Sequence, residues 1–196
     1  MPKKDIVSAL VIGEVCAWLV LIIVKNITYS FSLWWLVPIA LPIAFAAGMA
    51  VAYFISIKIA VIYQIAKFLV IGVLNTLVDM GILNLFILLT SISSGIFFGV
   101  FKSVSFIIAS TNSYLLNKSW TFNKKENKGA KEIVQFFIVS GIGFAINVGV
   151  AYFIVSIMGP RASIAPKVWA NVGAFAAAVA GMTWNFVGYK FLVFKS

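Results

Sequence analysis

Asn75, Thr76 and Asp79 interrupt an apolar run otherwise suited to hydrocarbon, and the four-residue step from Asn75 to Asp79 puts both on one helix face. An amide and a carboxylate stacked in this way can bond a neighbouring helix or hold the polar part of a ligand. Both readings stand on the sequence. Asn112, Asn117 and Lys118, followed by Trp120 and Phe122, form a second constellation. An ammonium beside amides suits a phosphate or a sugar oxygen, and a charge-assisted hydrogen bond contributes roughly 1.5–3 kcal/mol. Asn185, Lys190 and Phe194 repeat that pattern near the end of the chain. Trp120, Phe122 and Phe194 read more simply as interfacial anchors, where aromatic rings sit at headgroup level.

The elements that must position these residues are membrane helices. The chain is 63% hydrophobic and 10% charged over 196 residues, with a mean hydropathy of +1.09, too little polar surface for a soluble globule. A span needs roughly 20 apolar residues. Six runs qualify: Ile6 to Val24, Trp34 to Ile57, Phe68 to Leu89, Phe97 to Leu116, Ile133 to Ile157 and Val168 to Val187. The last is rich in Ala and Gly, which lets membrane helices approach closely. The fold class is therefore an all-α membrane protein of about six transmembrane helices.

Asp79 then lies about 11 residues, roughly 16 Å, from the cytoplasmic end of its span, where an ionised carboxylate must face protein or a cavity. Lys102 lies about one turn inside the external end of the fourth span and is the obvious internal partner for Asp79. Lys167 holds the corresponding place before the last span, where snorkelling to the interface explains it. Glu14 is a further intramembrane acid, but it lies in the hairpin outside the repeat, so a place near a partner subunit is the alternative to a role in the site.

Between Gln64 and Ser196 the chain is duplicated. Phe68-Leu69-Val70-Ile71-Gly72 opens one copy and Phe136 to Gly141 the other, and the interval from Phe68 to Asp79 equals that from Phe136 to Asn147. Residues 1–63 form an N-terminal hairpin outside the repeat, and 64–196 hold two tandem two-helix copies, 64–124 and 132–196. Each copy has two spans, so the copies enter from the same side, as parallel repeats do. Asn123 to Glu132 is the one long polar connection. With the copies side by side, Lys118 and Lys190 are expected at one mouth.

In order, spacing and duplication these residues resemble the GtrA-like family of small membrane proteins of cell-surface polysaccharide synthesis. The resemblance covers about residues 64–196 and rests on Phe68, Gly72, Asn75-Thr76, Asp79, Asn112, Asn117-Lys118, Trp120 and Phe122. In the second copy it rests on Phe136, Asn147, Asn185-Phe186, Lys190 and Phe194. Tyr189 and Leu192 depart from it, standing where a polar residue and tryptophan are expected. It implies a four-helix module that moves or handles polyprenyl-phosphate-linked sugars, often beside a membrane glycosyltransferase. The candidates for lipid-phosphate or sugar binding are Asn75, Asp79, Asn112, Asn117, Lys118, Asn185 and Lys190, all within the resemblance, and Lys102, which its place in the fourth span adds.

The net charge of +10 reports topology rather than nucleic-acid binding. Lys3, Lys4, Lys58, Lys67, Lys118, Lys124, Lys125, Lys128, Lys131, Lys190 and Lys195 fall on one side of the six-span scheme, and Lys25, Arg161 and Lys167 on the other. The positive-inside rule puts both termini and the Asn117 to Glu132 loop in the cytoplasm. The lysines from Lys124 to Lys131 read as contacts to anionic lipid. Glu14 interrupts the first run and no small-x-small cleavage site follows, so that run reads as a retained span rather than a signal peptide.

Cys16 is the only cysteine and there is no histidine, so nothing in the sequence has the form of a metal site, a cofactor site or a nucleophile with its base. The reading is of a non-enzyme at the cell membrane that translocates or handles polyprenyl-phosphate sugars. A non-transporting scaffold for a glycosyltransferase and a small-ion or small-solute transporter using Asp79 are the alternatives. The expected partners are the lipid-linked sugar and membrane lipids, with a glycosyltransferase or a second copy of the chain as protein candidates.

Overall fold

The computed structural model describes residues 1–26, 32–92, 95–124, 129–159 and 166–195, and no strand occurs among them. Six helices follow the six apolar runs: α1 (Lys3–Asn26), α2 (Val37–Ser56), α3 (Val61–Thr90), α4 (Gly95–Leu116), α5 (Ala130–Tyr152) and α6 (Pro166–Gly188). A 3₁₀ turn, Trp34–Leu36, leads into α2. Among the described residues four segments are long and apolar enough to cross a membrane: Lys3–Val24, Trp34–Ser56, Val61–Thr90 and Ala130–Val150. The other two expected spans coincide with α4 and α6, of 22 and 23 residues.

Leu89, Ile96 and Phe144 are 74, 85 and 70% exposed, so the outer faces are as apolar as a lipid-facing surface must be. The chain is an all-α membrane protein. Because lipid tails are as apolar as leucine, the helices are held together by close packing and by polar contacts rather than by escape from water.

Two compact units are formed, Met1–Asn123 and Lys124–Ser196. In the first, α1 packs on both α2 and α3, and α3 on α4. The hairpin of residues 1–63 is thus built into one unit with the first copy of the repeat. Its core brings Ala9, Ile12 and Cys16 of α1 against Met49, Ile71, Leu74 and Trp120. Gly13 makes the approach of α1 to α2 possible, since a Cβ there would stand 2.5 Å from the Cα of Pro42. Pro38 lies in the first turn of α2, where no amide donor is missed, while Pro42 is buried inside the helix. α3 begins at Val61 rather than near Phe68 because Tyr63 and Lys67 continue the helix into protein contacts described below.

In the second unit α5 packs along α6. α5 runs on into a π-helical turn, Phe153–Met158, and α6 into another, Tyr189–Val193. A matching π-turn, Asn117–Thr121, ends α4 in the first unit. The two copies of the repeat therefore share their terminal geometry. The amide of Phe122 donates to the carbonyl of Asn117 at 2.9 Å, and that of Phe194 to Tyr189 at 2.8 Å.

Candidate functional site

The first unit carries a polar seam between α3 and α4. The Asn112 amide Nδ2 donates to Asn75 Oδ1 at 2.8 Å, and the Ser105 hydroxyl donates to Asp79 Oδ1 at 2.6 Å. Asn75 and Asp79 lie one turn apart on α3, and Ser105 and Asn112 lie two turns apart on α4, so the bonds form successive rungs across the helix pair. Asn75 Nδ2 is buried without a hydrogen-bond partner. A buried polar atom in that state costs about 1–3 kcal/mol unless something bonds it, which marks the rung as a place where a ligand oxygen would be welcome.

The π-turn after α4 holds the rest of the motif. Asn117 is buried, donating through Nδ2 to the Ser113 carbonyl at 2.9 Å and to its hydroxyl at 3.3 Å. Its Oδ1, and the Thr121 hydroxyl four residues on, are buried without partners. Lys118 donates to the Tyr114 hydroxyl at 3.2 Å, its Nζ 5.5 Å from that ring's centroid. Lys102 belongs to α4, but its side chain lies outside the described residues, so the expected pairing with Asp79 falls outside them too.

Trp120 and the start of α3 make a contact that local sequence spacing does not suggest. The Trp120 indole donates to Asp5 Oδ1 at 2.7 Å, the Tyr63 hydroxyl donates to Oδ2 at 2.8 Å, and Lys67 Nζ lies 2.9 Å from the same oxygen. Lys67 also stands 4.7 Å from the Tyr63 ring centroid and 5.5 Å from that of Trp120. Asp5 is 5% exposed and its carboxylate is met by an ammonium, a phenol and an indole. Trp120, expected at the lipid interface, is thus inside the protein, because an acceptor reaches it from the N-terminal hairpin. Asp5 was not among the residues brought forward from the sequence. Its signals are an acid among basic residues at the chain start, and a tryptophan that copy two replaces by Leu192.

The second unit arranges its motif differently. Tyr189, in place of Asn117, stacks on Phe136 at 4.6 Å and shares a 2.6 Å hydrogen bond with Ser140. Burial pushes the Tyr189 phenol up to about 12, the Ser140 bond opposing, so it stays a neutral hydroxyl at physiological pH. The Trp184 indole donates to the Val139 carbonyl at 3.1 Å. Asn185 is wedged over Gly143, its Oδ1 buried without a partner, and a Cβ on Gly143 would collide with the amide. A Cβ at Gly181 would come within 2.9 Å of the Gly143 carbonyl, so the expected close approach of the Ala- and Gly-rich helix occurs along α5. Lys190 Nζ lies 5.8 Å from the Phe186 ring and 5.7 Å from that of Phe191. Phe194 is buried, edge-on to Tyr189 at 6.1 Å, while Phe122 is half-buried.

Among the described residues no group of three His, Cys, Asp or Glu side chains is placed to hold a metal ion. The chemistry on offer is recognition by amides, hydroxyls and ammonium groups next to apolar helix faces.

Comparison with known proteins adds two matches. The family model described as GtrA/DPMS, transmembrane domain, matches residues 67–194. A Bacillus subtilis (strain 168) protein described as uncharacterized membrane protein YngA is 30% identical over 142 residues, covering 68% of this chain and 80% of the relative. No solved structure matches the chain.

Proposed function

Because the chain belongs to the family of the GtrA/DPMS transmembrane domain, which is linked to the handling of polyprenyl-phosphate sugars, we propose that it binds such lipids and carries their head groups across the membrane. The observation that supports this most is the pair of rungs, Asn75 with Asn112 and Asp79 with Ser105, which join α3 and α4 through polar side chains within two largely apolar helices. A sugar is a dense array of hydroxyls, and a path through hydrocarbon lowers its barrier by offering donors and acceptors at intervals. The seam has that spacing. The isoprenoid tail needs no pocket, since the exposed apolar helix faces already match lipid.

Lys118 and Lys190 are each assigned to a lipid phosphate, each at the cytoplasmic end of its own helix in an orientation with both termini inside. That orientation requires an even number of spans, as the six-span scheme has. No chemical step is required of the protein, so the reading is of a non-enzyme.

Reconstitution in proteoliposomes with a fluorescent polyprenyl-phosphate sugar tests the proposal. Wild-type protein alone is expected to speed appearance of the label in the opposite leaflet. Asp79→Asn keeps size and hydrogen bonding but removes charge, and should abolish that acceleration at normal expression. No acceleration by the wild type, together with co-purification of a glycosyltransferase from native membranes, would replace transport by scaffolding.

A further inference from the structure

Glu14 stands at the middle of the 24-residue α1, about 16 Å from Lys3 at its start. Asp5, Ala9, Ile12 and Cys16 mark the packed face of this helix, all of them buried. Glu14 follows Asp5 by about two and a half turns, so it leaves the helix about 180° from Asp5; it is half-buried, at the edge of a packed face that also includes the fully buried Ala17. Its neighbours on the outer side, Val7, Val11 and Trp18, are 58, 56 and 53% exposed. The Trp18 indole, one turn along the same helix, donates to Glu14 Oε1 at 2.7 Å. Among the described residues Glu14 has no ion-pair partner and no other hydrogen bond.

A carboxyl group at this depth, half-buried at the edge of a face that carries the exposed Val7, Val11 and Trp18, is costly, and one indole bond meets only part of its capacity. We infer that this face of α1 docks a transmembrane helix of a partner protein that carries a lysine or arginine at mid-membrane depth. Charge complementarity selects that occupant. A second copy packed through this face about a two-fold axis along the membrane normal would set two Glu14 carboxylates against each other at one depth. A lipid head group is excluded by depth, since it would have to travel about half the hydrocarbon thickness to reach Glu14. Asp5, the other acid of α1, is already satisfied by Lys67, Tyr63 and Trp120, which leaves Glu14 as the charge that a partner helix can read.

The test uses the full chain in proteoliposomes with synthetic single-span leucine helices as probes. Three differ only at the centre, carrying lysine, leucine or glutamate, and each bears a photo-crosslinking group one turn away. The lysine helix is expected to crosslink about tenfold more than the leucine helix at equal peptide-to-lipid ratio. Glu14→Gln should bring the lysine helix down to the leucine level, with an unchanged melting temperature because glutamine keeps the size and the acceptor for the Trp18 indole. Equal capture of the lysine and leucine helices by wild type overturns the inference, as does an unaltered lysine preference in Glu14→Gln. Capture of the glutamate helix as strong as that of the lysine helix also overturns it, in favour of carboxyl pairing between copies. None of these outcomes depends on sugar transport, so the inference stands or falls apart from the function proposed above.

Discussion

The Trp120 indole N–H donates to the Asp5 carboxylate at 2.7 Å although 115 residues separate the two in sequence. With Lys67 and Tyr63 it closes a polar clasp that fixes the first turn of α1 to the beginning of α3 and the end of α4. The clasp gives copy one a use for a tryptophan that Leu192 of copy two lacks. It also ties the hairpin of residues 1–63, outside the family match, to the matched region.

Breaking the clasp should destabilise the protein without touching the seam. Removing one member of a buried ion pair costs about 3–5 kcal/mol, and because the Lys67 side chain is 13% exposed we expect Asp5→Ala to fall near the lower end, about 3 kcal/mol. Trp120→Phe keeps the ring and loses only the donor, so about 1.5 kcal/mol is expected. Thermal unfolding in detergent measures both. Since the two side chains share one bond, the double mutant should lose less than the sum of the singles. Additive losses would mean that the residues act separately.

The helices were legible because each follows an apolar run about 20 residues long, and a single segment can satisfy its own backbone in lipid only as a helix. Asn75 with Asp79 was legible too, since polar residues four apart in such a run must share a face, whereas the bond from Asn112 to Asn75 joins two helices and was not. The Asp5 clasp was not, because its partners come from three separate segments and no local period links them. The π-turns were equally hidden. The one at Asn117 to Thr121 reads in the sequence as a helix end, and in the structure it buries Asn117, Trp120 and Thr121. Asn185 was found by its type, but its seat over Gly143 is a tertiary contact that only the helix pairing reveals.

That seat makes a second prediction. Gly143→Ala forces a methyl into the Asn185 amide, and overpacking of this kind typically costs about 1–3 kcal/mol. Gly141→Ala is the control, since a Cβ there meets nothing within 4 Å. A lower melting temperature for Gly143→Ala alone, recovered by adding Asn185→Ser, is the expected pattern. Equal melting of the two alanine variants would show that α5 and α6 are not held by this contact.

Orientation is tested by accessibility. With both termini in the cytoplasm, cysteines introduced near Lys128 and Ser196 should resist an impermeant thiol reagent in intact cells, and one near Arg161 should react. Cys16 is buried and contributes no background. Reaction near Lys128 from outside would overturn the orientation and the six-span scheme with it.

Lys118 and Lys190 are each the second residue of a π-turn closed by the same backbone bond, so the two copies present an ammonium in equivalent settings. Each Nζ stands over aromatic rings, 5.5 Å from Tyr114 for Lys118 and 5.8 Å from Phe186 for Lys190. Such a contact contributes about 0.5–1 kcal/mol at an exposed site, whereas a charge-assisted hydrogen bond to phosphate contributes roughly 1.5–3, so a phosphate wins the ammonium while the ring still orients it. Lys118→Gln and Lys190→Gln should therefore each weaken binding of polyprenyl phosphate in lipid nanodiscs about tenfold. The control is Lys124→Gln with Lys125→Gln, whose positions call only for general attraction to anionic lipid and should lose less, with the loss disappearing in high salt. If all four substitutions weaken binding alike, the terminal lysines are interfacial anchors and the phosphate is held elsewhere.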